Sequence, residues 1–235
     1  MYQYTRFLKL LRNFGLRKTL ISLASSLDDQ FLRSFDRRYR VTTSGHIALS
    51  STSFDPSRLR QATSYAPVNA WAFRRLLKIL KLPKTVQFAD LGCGLARACI
   101  IAAEYGFERV TGVELADELC AKARENVVRC RLSPTQIASI RIVHQDVLEY
   151  CENAEEDVFF MFRAFSFELF QSVCAKLADR GAQLKKPVTI IYTERLNWPP
   201  TKETKALSDD RSLRELYRGA MLGQAFYVYR HEVQP

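Results

Sequence analysis

Apolar and polar positions change their rhythm at about residue 84. Beyond it, short apolar runs alternate with stretches of helical spacing. The runs 86–90, 109–114, 140–145, 158–162 and 188–193 are predicted as strands, with helices over 96–105, 117–129 and 167–177. Gly106 closes the first of these helices. The end of the chain is predicted as a helix over 212–221 and then an alternating strand over 226–230. Strands alternating with helices give an α/β fold, a mostly parallel sheet covered on both faces.

Ahead of that core, 67–82 returns to helical spacing and Pro83 stops it. Trp71, Leu76, Leu77 and Leu80 are placed inward, and Arg74, Arg75 and Lys78 outward. Residues 41–66 are rich in Ser and Thr without a strong period, and read as a long loop of the kind that covers a site, with room for one short strand. In the first 27 residues, Phe7, Leu10, Leu11 and Phe14, then Leu20, Leu23, Ala24 and Leu27, recur at helical spacing, with Gly15 dividing them into two helices. The chain is therefore divided into a helical and loop extension over 1–84 and an α/β domain over 85–235.

Charge sharpens that boundary. The formal net charge is +10, yet 1–84 holds 16 Lys and Arg against 4 Asp and Glu, while the remaining 151 residues hold 19 against 21. The whole basic excess precedes the α/β core, an asymmetry that implies an anionic partner, either a membrane surface or nucleic acid. For 1–27 three readings stand: an amphipathic helix packed on the domain, an interfacial or nucleic-acid-binding arm, and a cleaved transit peptide. An apolar content of 47% fits a globular protein, and no uncharged stretch approaches a bilayer-spanning length. The six cysteines include no C-x-x-C pair, so zinc spacing is absent and no metal is expected. Reduced thiols in a cytoplasmic-type compartment, with peripheral membrane association open, are the expectation.

The most informative stretch runs from Val86 to Glu114: strand, glycine-rich turn, helix, and a second strand ending in a carboxylate. Parallel α/β sheets bind ligands at the carboxyl ends of their strands. Asp90, Leu91, Gly92 and Gly94 fall at the first turn, where missing Cβ atoms let backbone approach a ligand. Glu114 tips the next strand, where a carboxylate accepts from two ribose hydroxyls. Arg97 stands where the third glycine of a dinucleotide fingerprint belongs. The turn therefore favours S-adenosylmethionine (SAM) over NAD or FAD.

D-L-G-C-G-L-A-R (90–97) followed by A-A-E-Y-G-F-E-R-V-T-G-V-E-L (102–115) resembles motif I and its sequel in class I SAM-dependent methyltransferases. It is most similar to a bacterial group of unassigned substrate that reads D-L-G-x-G-K-G-R here. F-D-R-R-Y-R-V-T-T-S-G (35–45) and Tyr65-Ala66-Pro67 resemble that group's upstream segments, and the likeness runs to a terminal Y-V-Y-R strand. The resemblance implies a Rossmann-like sheet with a terminal antiparallel strand, and assigns 85–235 to SAM binding. Gly92 and Gly94 would pass under the methionine and ribose, Asp90 would hold the ammonium, and Leu115 would floor the adenine. Asp146 would accept from the adenine amino group while Val147 packs the ring; an ordinary helix N-cap is the other reading of Asp146. Tyr65 would cap the cofactor, or is simply a packed loop tyrosine.

Two departures from the group stand out. Leu95-Ala96 replaces Lys-Gly, with alanine tolerated if its backbone is already helical. Phe162-Arg163-Ala164-Phe165 replaces Y-N-P-F beside the acceptor. Arg163 is a candidate for holding an acidic substrate, and with Tyr65 it is the only catalytic candidate. His46, His144 and His231 are read as structural, and spacing gives Glu194 and Arg195 no role. A SAM-dependent methyltransferase is the leading reading. Its favoured acceptor is a nitrogen of a protein, lysine-type, or of a small molecule, in line with a resemblance to lysine methyltransferases of the mitochondrial ATP synthase c-subunit. The alternatives are a methyltransferase-fold binding protein without turnover and an RNA methyltransferase.

Overall fold

The computed structural model describes residues 33–45, 65–196 and 201–232. The expected helices of 1–27 and most of the 41–66 loop lie outside them. A helical segment, α1, ends at residue 39. It is followed by α2 (Ala70–Leu80), β1 (Gln87–Leu91), α3 (Arg97–Tyr105), β2 (Arg109–Glu114), α4 (Asp117–Arg129), α5 (Pro134–Ala138) and β3 (Ile140–His144). Then come α6 (Val147–Glu152), β4 (Val158–Phe162), α7 (Phe167–Leu184), β5 (Val188–Arg195), α8 (Lys202–Asp209), β6 (Leu213–Met221) and β7 (Gln224–His231).

The strands form one seven-stranded sheet in the order β3-β2-β1-β4-β5-β7-β6. β1 to β5 pair in parallel, and β7 runs antiparallel to β5 and to β6. The order reverses at β1 and β4, whose carboxyl ends frame the crevice where such sheets bind ligands. Side-chain alternation along β1 splits the core. Phe88 packs on the α1, α2 and α3 side with Phe73, Leu76, Leu77 and Ile100. Ala89 and Leu91 face the α6 and α7 side with Val147, Phe170 and Val173. Both layers bury branched and aromatic side chains on a parallel sheet, as its near-continuous apolar strands require.

Local signals set the elements. Asn69 caps α2 by accepting from the Trp71 and Ala72 backbone N–H groups, both at 3.1 Å, and its own N–H donates to Gln224 Oε1. That contact ties the helix to β7. Gly106, at φ 101°, ends α3 in the left-handed region that favours glycine. Ser133 forms a capping box with Gln136 at α5.

Three sequence expectations are corrected. Residues 212–221 form strand β6 rather than a helix: they pair along β7 across a tight turn at Leu222 and Gly223, both with positive φ. Trp71, placed inward, is 53% exposed. Arg74, placed outward, is half-buried, because its Nε donates to Glu104 at 2.5 Å and its guanidinium lies over the Phe35 and Tyr39 rings. The helix over 167–177 also continues to Leu184, and α8 was not anticipated.

Candidate functional site

The site is built at the carboxyl ends of β1 and β2. Gly92 and Gly94 adopt φ of +80° and +53°. This backbone lets the Gly92 and Cys93 N–H groups reach back to Val113 O, at 2.9 and 3.0 Å. Glu114, 8% exposed, turns its carboxylate into the same loop. Its Oε2 accepts from the Gly94 N–H at 2.9 Å, and its Oε1 from the Leu115 and Ala116 N–H groups at 2.9 and 3.0 Å. Burial raises its pKa, and those three donors hold the rise back. Oε2 keeps a lone-pair direction for a hydroxyl, whereas Oε1 has both of its own occupied.

Asp90 is 3% exposed, on the α3 face of β1. Its Oδ2 accepts from the Cys99 thiol at 3.6 Å. Burial pushes its pKa up to about 7, the Cys99 contact opposes this, and the Glu114 charge adds to it. A buried acid this poorly compensated is suited to a cationic ligand group. All six cysteines are free thiols, as expected. Cys93 and Cys99 fill the space beside Gly112, where an added Cβ would lie 2.9 Å from each sulfur.

The turn is closely covered. A Cβ on Gly94 would lie 2.1 Å from the Tyr65 ring, and one on Gly92 would lie 2.7 Å from Ala164 Cβ. The cavity between Tyr65, Asp90, Gly92, Arg97 and Phe162 measures about 20 Å³. That is about one water, against the hundreds of Å³ that enclose a cofactor. The donor set fits an adenosyl sulfonium: a buried acid, a ribose-facing acid and side-chain-free backbone between them. The space over Gly94 is taken by Tyr65, so entry of such a group requires the ring to swing away. The Tyr65 hydroxyl donates to Thr43 O at 2.8 Å, which anchors the ring to the upstream segment.

The other predicted positions are distributed as follows. Leu115 is half-buried and its carbonyl faces His144 Nε2 at 2.9 Å. Asp146 caps α6, accepting from the Leu148 N–H at 2.8 Å, and Val147 is buried behind it. Leu91 is fully buried in the α6 and α7 layer, so it braces the turn without facing the crevice. Ala96 has φ 67° and ψ 23°, left-handed rather than helical, and its methyl packs in the core cluster of α3. The condition for painless replacement of the group's glycine is therefore not met. Arg163 also has a positive φ, 41°, and its charge acts on Glu194 and Tyr192.

One network escaped the sequence reading. Arg97, 2% exposed, turns into the upstream segment, where its Nε donates to Thr43 Oγ1 at 2.8 Å and its Nη2 to Asp36 Oδ1 and Ser44 Oγ, both at 3.1 Å. Its guanidinium stacks on Phe35 at 4.6 Å. Asp36 also accepts from the Thr43 and Ser44 N–H groups, at 3.0 and 2.8 Å. The F-D-R-R-Y-R-V-T-T-S-G stretch thus clasps the far side of the glycine turn. Its readable signal was an acid in an otherwise basic segment.

This sheet order, with the last-but-one spatial strand reversed, is that of the Rossmann-like methyltransferase fold. Residues 89–180 match the profile of the family described as "Methyltransferase domain". A curated relative, the S-adenosyl-L-methionine-dependent Diels-Alderase iliD of Neonectria sp. (strain DH2), is 31% identical over 83 residues, 35% of this chain. The chain spans about a third (34%) of that relative's length. Among solved structures, a ribosomal protein L11 methylase from Lactobacillus delbrueckii subsp. bulgaricus aligns at TM-score 0.53 and 16% identity, covering 76% of this chain and 83% of that one. An RNA methyltransferase from Salinibacter ruber, solved with S-adenosyl-L-homocysteine, aligns at TM-score 0.52 and 18% identity, covering 72% and 96%. At these identities the two structures establish the fold. Among the described residues no helix is long and apolar enough to cross a membrane.

Proposed function

We propose that the protein binds SAM and transfers its methyl group to a nitrogen acceptor, of a protein lysine or of a small molecule. The observation that supports it most is the pair of buried acids, Asp90 and Glu114, flanking two glycines of positive φ at adjacent strand tips. Glu114 would take the ribose hydroxyls, Asp90 the methionine ammonium, and Asp146 with Val147 the adenine edge and face. Leu115 would floor the ring, and Tyr65, once displaced from Gly94, would close over the bound group. SAM supplies a methyl on sulfonium sulfur, so the protein's task is to align the nucleophile and exclude water. Titration calorimetry with SAM tests this: wild type is expected to bind and Glu114→Ala to lose at least tenfold in affinity. Absent binding, or undiminished binding by the variant, overturns the reading.

A second reading, a binding protein of this fold without turnover, is favoured by Ala164 and Tyr65 lying so close over the glycines. Transfer of labelled methyl from SAM to any cellular fraction eliminates it. The described part of the N-terminal extension, 33–45 and 65–84, carries nine Lys and Arg against one acid, Asp36. Trp71 and Ile79 are exposed on the same extension. That surface suits an anionic partner, a lipid headgroup layer or an RNA backbone. Binding to vesicles containing anionic lipid supports the first; salt-steep RNA binding supports the second and the RNA methyltransferase reading.

A further inference from the structure

The cavity that holds Asp90 and Gly92 is walled by rings. Phe160 and Phe162 line it from β4, and Tyr65 and Val68 from the segment that lies over the turn. Phe165 closes another side of Gly92: its Cε1 and Cζ lie 3.8 Å from the position that a Cβ there would take. Phe160 is buried, whereas Phe162 and Phe165 are half-buried, so those two rings keep surface that a ligand can cover.

The titratable groups that line the cavity are already committed. Asp90 is the one carboxylate among the described lining residues, and the ammonium of the proposed cofactor takes it. The Tyr65 hydroxyl donates to Thr43 O at 2.8 Å, and burial raises its pKa. The Cys99 contact and burial push the Cys93 thiol well up. The Arg97 guanidinium is engaged by Asp36, Thr43 and Ser44. A hydroxyl acceptor must surrender its proton as its oxygen is methylated, and no group here is placed to take it. A neutral primary amine needs no base at that step, yet aromatic faces would leave its N–H donors unpaired. A tertiary amine has no N–H to satisfy, and the positive charge its nitrogen gains is attracted to ring faces.

We propose that Phe162 and Phe165 form the acceptor seat, and that it takes a tertiary alkyl amine and converts it to a quaternary ammonium. This rests on the methyltransferase reading and narrows its nitrogen acceptor. The amine's lone pair forms the N–C bond as the methyl leaves sulfur, which keeps the electron pair of the broken bond. The positive charge passes to nitrogen and no proton moves.

The probes are choline and its uncharged isostere 3,3-dimethylbutan-1-ol, titrated into the full chain with and without saturating S-adenosylhomocysteine. Choline is expected to bind about tenfold more tightly. Phe162→Leu should cut that ratio to about twofold, and Phe162→Tyr, which keeps a ring, should preserve it. Should Phe162→Leu fail to fold, Phe165→Leu reads the same ratio. Equal binding of the two probes by wild type, binding of neither, or a ratio that survives in the leucine variants overturns the seat. A protein that binds S-adenosylhomocysteine without preferring choline loses the seat and keeps the cofactor reading; a choline preference without S-adenosylhomocysteine binding does the reverse. Labelled methyl should pass from SAM to N,N-dimethylethanolamine, or to Nα-acetyl-Nε,Nε-dimethyllysine methylamide, faster than to the primary amine of the same skeleton. The first result puts the acceptor on a small molecule and the second on a lysine side chain. A primary amine that reacts as fast or faster in both pairs overturns the proposal.

Discussion

At the scale of single residues the site carries strain and uncompensated charge, and both can be measured. Ala96 holds a left-handed backbone that disfavours any side chain by about 1–2 kcal/mol. Ala96→Gly is therefore expected to raise stability by about 1 kcal/mol in urea denaturation, with the gain reduced by the glycine's larger unfolded-state entropy. Asp90 carries the opposite kind of burden. Its folded pKa of about 7 lies above its unfolded value, so the native state holds the extra proton between those limits. Its contribution to stability is full below the unfolded value and is lost as pH rises towards 7. Asp90→Asn should flatten that decline, raising the melting temperature at pH 8, and should weaken SAM binding at least tenfold. A variant that binds SAM normally would show that the carboxylate does not meet the ammonium. These features were only partly legible. The spacing of Asp90, Gly92, Gly94 and Glu114 located the turn, because close approach to a ligand restricts residue type there. The left-handed angle at Ala96 left no mark, since alanine is also the best helix former.

At the scale of elements, legibility followed burial. β2 and β4 match their predicted bounds, because buried parallel strands are unbroken apolar runs between turns. β6 was misread for the converse reason. Leu213–Met221 lies at the sheet edge, with a half-exposed pattern and a register shift between Glu215 and Tyr217 that breaks simple alternation. Its Leu, Arg, Glu, Ala and Met residues are strong helix formers, and pairing with β7 overrides them. The connecting turn was equally hard to see. Leu222 and Gly223 have φ of +47° and +75°, the signs a two-residue hairpin turn prefers, but its usual Asn-Gly signature is missing. Leu222 is exposed, so replacing it removes no core contact. Leu222→Asn is expected to stabilise the protein by about 0.5–1 kcal/mol, through relief of the left-handed leucine. A loss of stability on thermal denaturation would mean that Leu222 packs usefully across the hairpin end. The inward placement of Trp71 failed because periodicity marks which residues share a helix face without saying how wide the buried stripe is.

At the scale of the whole molecule, the basic extension and the cofactor turn are one mechanical unit. Asp36 and Thr43 hold Arg97 at the start of α3, Thr43 O holds the Tyr65 hydroxyl, and the Tyr65 ring rests on Gly94. Each contact is local, yet the chain of them connects a surface that carries nine cations to the backbone proposed to cradle SAM. A partner that displaces 33–45 must therefore also loosen Tyr65, and a ligand that displaces Tyr65 must disturb 33–45; that reciprocity is required by linkage. Arg97 is the keystone, because it is buried and its removal leaves Asp36 without its counter-charge, held only by Thr43 and Ser44. Breaking a buried ion pair from one side destabilises by about 3–5 kcal/mol. Arg97→Ala should lose that amount, and hydrogen exchange should show where. Protection is expected to fall together over 33–45 and at Tyr65 to Val68, while β1, β2 and β4 keep theirs. The same variant should bind SAM with a faster association rate, since the ring over Gly94 has lost its anchor. Uniform loss of protection across the sheet would instead make Arg97 a core residue like any other. Unchanged association kinetics in a folded variant would show that Tyr65 does not gate the turn.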